Sequence, residues 1–364
     1  MIFFLFFFLK MSQKTLDNWL GIKNNKTIKQ DVINIKKYFY INWNNEYEPN
    51  NAIWLNIKPE NVNFESTIKC DKFQNGFEFI LCGYFKDINN KYIISKEKKY
   101  RNVPFIKSHL QKTIRQMEDL LALQTASHFI HMDIISFLRR LPIIMLEDVY
   151  LNISMNNIIW LMAALSSTHF TIKKYIIEYL LGVIHNLVTN KNIDLLDEIN
   201  ESDPIVPIDT TNILYFNKFN KLSEQECSLM YSLSLRKVYG GTKFDMDLIN
   251  KYILKWYNRF YQNIDNCYKN DLLYAKINFI NDNISELPLD KWMLSAIDFH
   301  CSDLINYIKK KYNYYSEEEL KKIIWYNLSC KNKRFNQKNS YSNEFKPIKD
   351  YVQHLQKYLL MKGY

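Results

Sequence analysis

Four carboxylates and six cationic side chains carry the chemistry that this sequence offers. Glu147 and Asp148 are adjacent, Asp245 follows a glycine pair in "LRKVYGGTKFDMD", and Asp298 stands in "AIDFHCSDL". Two or more of these acids converging on Mg²⁺ would give metal-assisted, nuclease-like chemistry on nucleic acid. Lys112, Arg115, Arg139, Arg140, Arg236 and Lys243 are the candidates for phosphate contact, because lysine and arginine neutralise backbone phosphates. In "FLRRLPIIMLEDV", residues 137–149, an arginine pair and an acid pair bracket an apolar run. Along one helix the pairs lie about two turns apart, which predicts no direct bond between them. The acids are then expected to reach Lys112 or Arg115 of the preceding helix, and the arginines to reach other acidic groups or phosphate. The competing expectation is an interhelical ion-pair network that fixes packing, since buried charges persist when paired.

Two further clusters invite chemistry. Around Gly240-Gly241, exposed amides with Arg236, Tyr239, Lys243 and Asp245 would suit a phosphate; otherwise the segment is a helix C-cap and a turn. Asp298, His300 and Cys301 are near neighbours, but adjacent helical residues point apart, which is poor geometry for a Cys-His dyad. They read as a satisfied polar cluster at a helix start. No Walker A sequence, no G-x-G-x-x-G and no G-x-S-x-G occurs, which disfavours an ATPase, a dinucleotide dehydrogenase and an α/β-hydrolase. The seven histidines form no H-E-x-x-H, and His128 and His131 fit an amphipathic helix face. Six scattered cysteines without a C-x-x-C pair read as reduced thiols of an intracellular protein. No metal or other cofactor is expected, Mg²⁺ entering only under the nuclease-like alternative.

Composition sets the frame. With 364 residues, 47% hydrophobic and 15% aromatic, the chain can bury a sizeable core over two or three domains. Only 7 Gly and 8 Pro favour helices with short connections. A net charge of +10 suggests a polyanionic partner. The Asn-, Ile-, Lys- and Tyr-rich bias is that of AT-rich coding, as in a large DNA virus or an AT-rich protist, and it inflates lysine by itself. "MIFFLFFFLK" has nine apolar residues before its lysine. That is short of the roughly 20 that span a bilayer, and the segment lacks the basic n-region and cleavage site of a signal peptide. With Met11 following at once, residues 1–10 read as an extension upstream of the true start.

The elements that must position these residues follow from periodicity. Residues 1–50 read as an extension and a flexible, disordered tail. Residues 51–104 alternate in "NAIWLNI", "EFILCGYF" and "NKYIISKE", which predicts a small β region with a hairpin around "KDINN". From 105 the period is helical: Leu110, Ile114, Met117, Leu121 and Thr125 share one stripe. Pro142 suits the first turn of a new helix. Residues 105–190 form a helical domain, 191–222 a connecting loop, and 223–364 a second helical region with a basic C-terminal part. "SEQE" at 223–226 and "SEEE" at 316–319 are capping boxes, the first helix running to about Val238 and stopping at Gly240-Gly241. The C-terminal "IKKKYNYY" and "CKNKRFNQKNSYSNEFK" interleave cations with aromatics, a pattern suited to single-strand stacking and phosphate contact.

Two resemblances sharpen this reading. "KTIRQMEDLLAL … RRLPIIMLEDVYL" resembles the helical region of the RarA/MgsA family, the Werner-helicase-interacting relatives of clamp loaders. Lys112, Ile114, Arg115, Ala122, Leu123, Arg139, Arg140, Leu141, Glu147 and Asp148 match over about residues 108–151. The family's AAA+ module is absent and Tyr150 stands where the family has Gly. The likeness implies a collar-like helical domain used for assembly and DNA-replication contacts without ATP hydrolysis. "QKTLDNWL" is similar to the sliding-clamp-binding PIP box: Gln13, Leu16 and Trp19 match, and Leu20 departs from the second aromatic.

The expectation is therefore a mainly α multi-helix bundle with a small N-terminal β region. Its expected role is that of a non-enzymatic DNA replication or repair accessory. DNA, a sliding clamp and a second copy are the expected partners, without a membrane, in the nucleus or at a cytoplasmic viral replication site. The alternatives are a metal-dependent enzyme on nucleic acid and a purely structural assembly protein.

Overall fold

A computed structural model describes residues 37–44, 49–70, 77–86, 102–152, 154–194, 222–261, 287–288, 291–300, 302–335 and 341–362. All of these lie in one compact unit, Lys36–Tyr364, with a continuous apolar core. Gln13, Leu16, Trp19 and Leu20 lie outside the described residues, as does the expected disordered tail before residue 37.

The sheet has four strands: β1 (Lys37–Trp43), β2 (Ile53–Leu55), β3 (Phe64–Cys70) and β4 (Phe77–Phe85), in the order β2-β1-β4-β3. β1 runs parallel to β4, and the two outer pairings are antiparallel. Strand β1 corrects the expectation of a tail running to residue 50. Phe39, Ile41 and Trp43 alternate inward on it with the period-two pattern of a half-buried strand. For the expected hairpin of β4 with "NKYIISKE" only the first arm is described: β1 pairs with it over Phe79–Phe85 and β3 over Phe77–Gly83. The second arm of that hairpin lies outside the described residues. Gly83 is required where β4 crosses β1, since a Cβ there would stand 2.8 Å from the Phe85 ring and 3.0 Å from Ile41.

Ten helices are described. They are α1 (Val103–Arg115), α2 (Asp119–Asp148), α3 (Ser154–Ser167), α4 (Lys174–Thr189), α5 (Glu224–Val238), α6 (Lys243–Tyr261), α7 (Leu304–Lys311), α8 (Glu317–Ile324), α9 (Ser342–Phe345) and α10 (Lys349–Met361). None is long and apolar enough to cross a membrane. Helix α3 is buried on nearly every side, as its all-round apolar sequence requires. It bolts sheet to helices: Trp160 donates its indole N–H to the carbonyls of Phe39 (2.9 Å) and Cys82 (3.1 Å), and Asn157 accepts from the Ala52 amide at 2.6 Å. Ser228 on α5 accepts from the Trp54 amide at 2.9 Å. The changes of local structure near 104 and 223 are therefore not breaks in the core.

Two helix boundaries differ from the sequence expectation. The stripe from Leu110 to Thr125 is not one helix, because α1 ends in a Schellman motif. There the Glu118 amide donates to Thr113 O (3.0 Å) and the Met117 amide to Ile114 O (3.1 Å). Met117 takes the left-handed position at φ 54, ordinarily glycine's. Pro142 does not open a helix but lies inside α2. The break comes at Asp133, whose φ of −157 is non-helical and whose carboxylate caps the Ser136 amide at 2.9 Å. Both capping boxes form as expected, Ser223 with Glu226 and Ser316 with Glu319.

Candidate functional site

The chemistry-bearing residues meet where α1 crosses the end of α2. Helical spacing puts Gln111, Lys112 and Arg115 on the inward side of α1, all buried. Arg115 bonds Asp148 through Nε, Glu147 through Nη2 (2.9 Å) and the Ser329 carbonyl through Nη1. Gln111 donates to Glu147 (2.9 Å) and Asp148 (2.6 Å), while its own carbonyl accepts from Arg140. Lys112 forms a buried ion pair with Asp298 at 2.5 Å and donates to Ser108 at 2.9 Å. Asp298 also accepts from the Ser329 hydroxyl (2.7 Å) and the His300 amide (2.9 Å).

The electrostatics follow from burial and pairing. Burial pushes the Asp148 carboxyl up to about 6, against the pull of Arg115. Burial also opposes the charge on Arg115, but the Asp148 and Glu147 carboxylates outweigh it and hold its pKa above the ordinary value. Burial likewise opposes ionisation of Asp298, yet the His300 hydrogen bond and the Lys112 ammonium keep it well below the usual carboxylate range.

The expectation that Glu147 and Asp148 reach back to the preceding helix holds, with Arg115 as the partner. The expectation that the arginine and acid pairs cannot meet along α2 needs correction. Arg140 Nη2 lies 4.0 Å from Glu147 Oε2, since residues seven apart share a face and both side chains are long. Arg140 also approaches Asp245 at 3.4 Å. The carboxylates Glu147, Asp148, Asp245 and Asp298 are thus each held by a cation, not gathered around a common centre. Among the described residues no group of three His, Cys, Asp or Glu could hold a metal ion.

Lys112, Arg115 and Arg236 are 5%, 6% and 2% exposed, so as placed they do not offer their charges to an external phosphate. Arg236 donates to the Arg139 and Gly240 carbonyls, and Arg139 to the Tyr239 carbonyl at 2.8 Å. The Gly240-Gly241 segment is a C-cap and turn, with Gly240 at φ 77. Arg139 and Arg140 are half-buried, and Lys243 is exposed.

Sequence reading missed three residues that hold this region. Gln111 bridges both acids and Arg140, but an uncharged glutamine in no motif gives no signal. Asp194 takes Lys255 (2.5 Å) and Arg259 (3.1 Å) on its carboxylate and Tyr252 on its carbonyl (2.6 Å), and its amide donates to Val149 O at 2.7 Å. Arg334, inside the stretch read as a nucleic-acid-facing basic segment, points inward instead. It donates to carbonyls at the ends of α1 and α4, Ile114 (2.8 Å) and Asn190 (2.9 Å) among them, where a cation complements the helix dipoles.

A second constellation lies on the surface. Helix α7 ends in Lys309, Lys310 and Lys311, all exposed, and packs against α10. Lys311 Nζ stands 4.2 Å from the Tyr351 ring centroid and 5.6 Å from that of Tyr312, whose rings meet edge to face at 5.7 Å. Tyr314, 67% exposed, lies 4.5 Å from Tyr315. Lys362 caps the exposed Tyr358 ring at 4.6 Å. Acidic groups bound this face at one edge: Glu344 and Glu319 lie beside Tyr315, and Glu317 is bonded to Lys321 at 2.5 Å.

No protein-family model matches the chain, and no curated protein or solved structure matches it.

Proposed function

We propose that this chain is a non-enzymatic DNA-binding accessory protein of replication or repair. The observation that carries the reading is the exposed lysine and tyrosine face of α7 and α10. It pairs cations for phosphates with rings on which unpaired bases stack. The net charge of +10 supports it, as does the likeness of residues 108–151 to the helical region of clamp-loader relatives. Gln13, Leu16, Trp19 and Leu20 supply a tether to a sliding clamp. The test is fluorescence anisotropy on labelled single-stranded, forked and duplex DNA over a salt series, with Mg²⁺-containing samples run on a gel. Binding that weakens steeply with log salt, without cleavage, is the expected result. Clamp capture is expected to disappear in Leu16→Ala/Trp19→Ala, and unchanged capture removes that half of the proposal.

A structural assembly module is the second reading, favoured by the sealing of Lys112, Arg115 and Arg236 inside ion-pair and carbonyl networks. It requires no DNA affinity at about 150 mM salt, a concentration at which surface charges more than a Debye length apart are largely screened, and a defined oligomer by light scattering.

A further inference from the structure

The middle of α2 passes over the end of α5 and the Gly240-Gly241 turn, and cations accumulate there without enough carboxylates. Arg139 donates to Tyr239 O, and its Nη2 lies 3.9 Å from where a Cβ on Gly240 would stand. Among the described residues Arg236 is tied to backbone carbonyls alone, at 2.6 to 3.1 Å. The Nε of Arg140 is buried with no acceptor among the described residues. Lys107 on α1, half-buried near Asp133, Arg140 and Arg139, makes no hydrogen bond or ion pair among the described residues.

The acids nearby do not balance this. Asp245 faces Arg140, Asp133 is engaged in capping Ser136, and Glu147 is already bonded to Arg115 and Gln111. Burial pushes the Lys107 ammonium down, Asp133 and Asp245 pulling against it and Arg140 and Arg139 adding to it, and burial with Arg139 pushes Arg236 down to about 10. Partly buried like charges are unfavourable unless an anion completes them.

We propose that the corner formed by Lys107, Arg139, Arg140 and the Gly240-Gly241 turn binds a phosphate group. Guanidinium forks and an ammonium are the donors a tetrahedral oxyanion takes, and Gly240, unlike Gly241 with Met246 and the Asp245 carboxylate against it, leaves room for close approach. The site is separate from the α7 and α10 face and stands without the DNA-binding reading. Its phosphate comes either from a small phosphate-bearing molecule or from the DNA backbone.

The test is thermal melting of the full chain in inorganic phosphate and in chloride at matched ionic strength and pH, for wild type and Lys107→Gln. Wild type melts higher as log phosphate rises. Lys107→Gln melts higher than wild type in chloride, because repulsion is relieved. Its phosphate response needs about tenfold more phosphate, the loss expected for one charge-assisted hydrogen bond. Anisotropy on labelled single-stranded DNA separates the sources. Weaker DNA binding by Lys107→Gln assigns the site to backbone phosphate, and unchanged DNA binding with a shifted phosphate response assigns it to a small phosphate ligand. A wild-type response no larger than that in chloride, or an identical response in Lys107→Gln, overturns the proposal.

Discussion

The α1/α2 crossing and the α7/α10 face use similar cationic side chains under opposite conditions. At the crossing, Lys112 and Arg115 are out of water, and each has carboxylates within hydrogen-bond range. On the face, Lys309, Lys310 and Lys311 stand in water, Lys310 and Lys311 against tyrosine rings and Lys309 near Glu317. A buried cation costs several kcal/mol in desolvation unless paired, so its carboxylates are committed to it. A solvated lysine keeps its counterions and gives them up on meeting a polyanion. Sequence spacing alone ranks the first group as the phosphate binders; burial takes them out of that role, and the proposed DNA-binding reading gives it to the second.

The largest effect expected from this contrast is on stability at the crossing. Arg115→Ala strands Asp148 and Glu147 with their shared cation gone, and should cost about 3–5 kcal/mol in urea denaturation. Arg115→Met/Asp148→Leu, which removes the more deeply buried acid with its cation and leaves Glu147 to Gln111 and Arg140, should recover most of that loss. A double variant as unstable as the single would mean the pair contributes through shape and not charge. Next comes Asp298→Asn, which weakens the Lys112 ion pair yet keeps an acceptor, expected at about 1–3 kcal/mol. DNA affinity should survive it at a temperature where the variant is folded.

On the surface the order reverses. Lys310→Glu/Lys311→Glu should leave stability within about 0.5 kcal/mol, while the salt slope for single-stranded DNA falls by about 1.4, the share of two phosphates. The smallest effect is a pH dependence. His109 Nε2 accepts from the Met293 amide at 2.9 Å, so Nδ1 carries the proton toward Thr125 Oγ1, also at 2.9 Å. Burial and then Lys112 push this ring down to about 3. Its stabilisation is present above the unfolded value near 6.5 and is lost as pH falls toward 3. Asp148, raised to about 6, acts in the other direction and gains stability as pH falls from 6 toward its unfolded value. The two slopes oppose each other below pH 6, so His109→Gln should become more stable, relative to wild type, on acidification from pH 6 to pH 4. Parallel pH curves for the two proteins would refute the assignment of His109.

What could be read from the sequence was local. The boxes at Ser223/Glu226 and Ser316/Glu319 and the stop at Gly240 depend on residues three or four apart, and they form as expected. That Glu147 and Asp148 reach back to Lys112 or Arg115 was also legible, because only one helix separates them, but the choice of Arg115 was not. Strand β1 was not, since its Asn-rich surroundings resemble the tail and its partner β4 begins more than thirty residues later. The end of α1 was hidden because Met117 adopts a conformation for which methionine gives no warning. Pro142 drew the break away from Asp133, although an aspartate capping the amide three residues on is the stronger signal. Asp194 and Arg334 stayed invisible because their partners are far away in the chain: Asp194 bonds residues 58 to 65 positions away and Arg334 reaches a carbonyl 220 positions away. A charge bound for the interior looks the same in sequence as one bound for solvent.

The most direct test measures single-stranded DNA affinity over one salt series for wild type, Lys310→Glu/Lys311→Glu and the interior variant Arg115→Met/Asp148→Leu. The account predicts at least a tenfold loss and a shallower salt slope for the surface variant, with wild-type behaviour for the folded interior variant. Full affinity in the surface variant together with a loss confined to the interior variant would contradict it, and would return the phosphate contacts to the α1/α2 crossing.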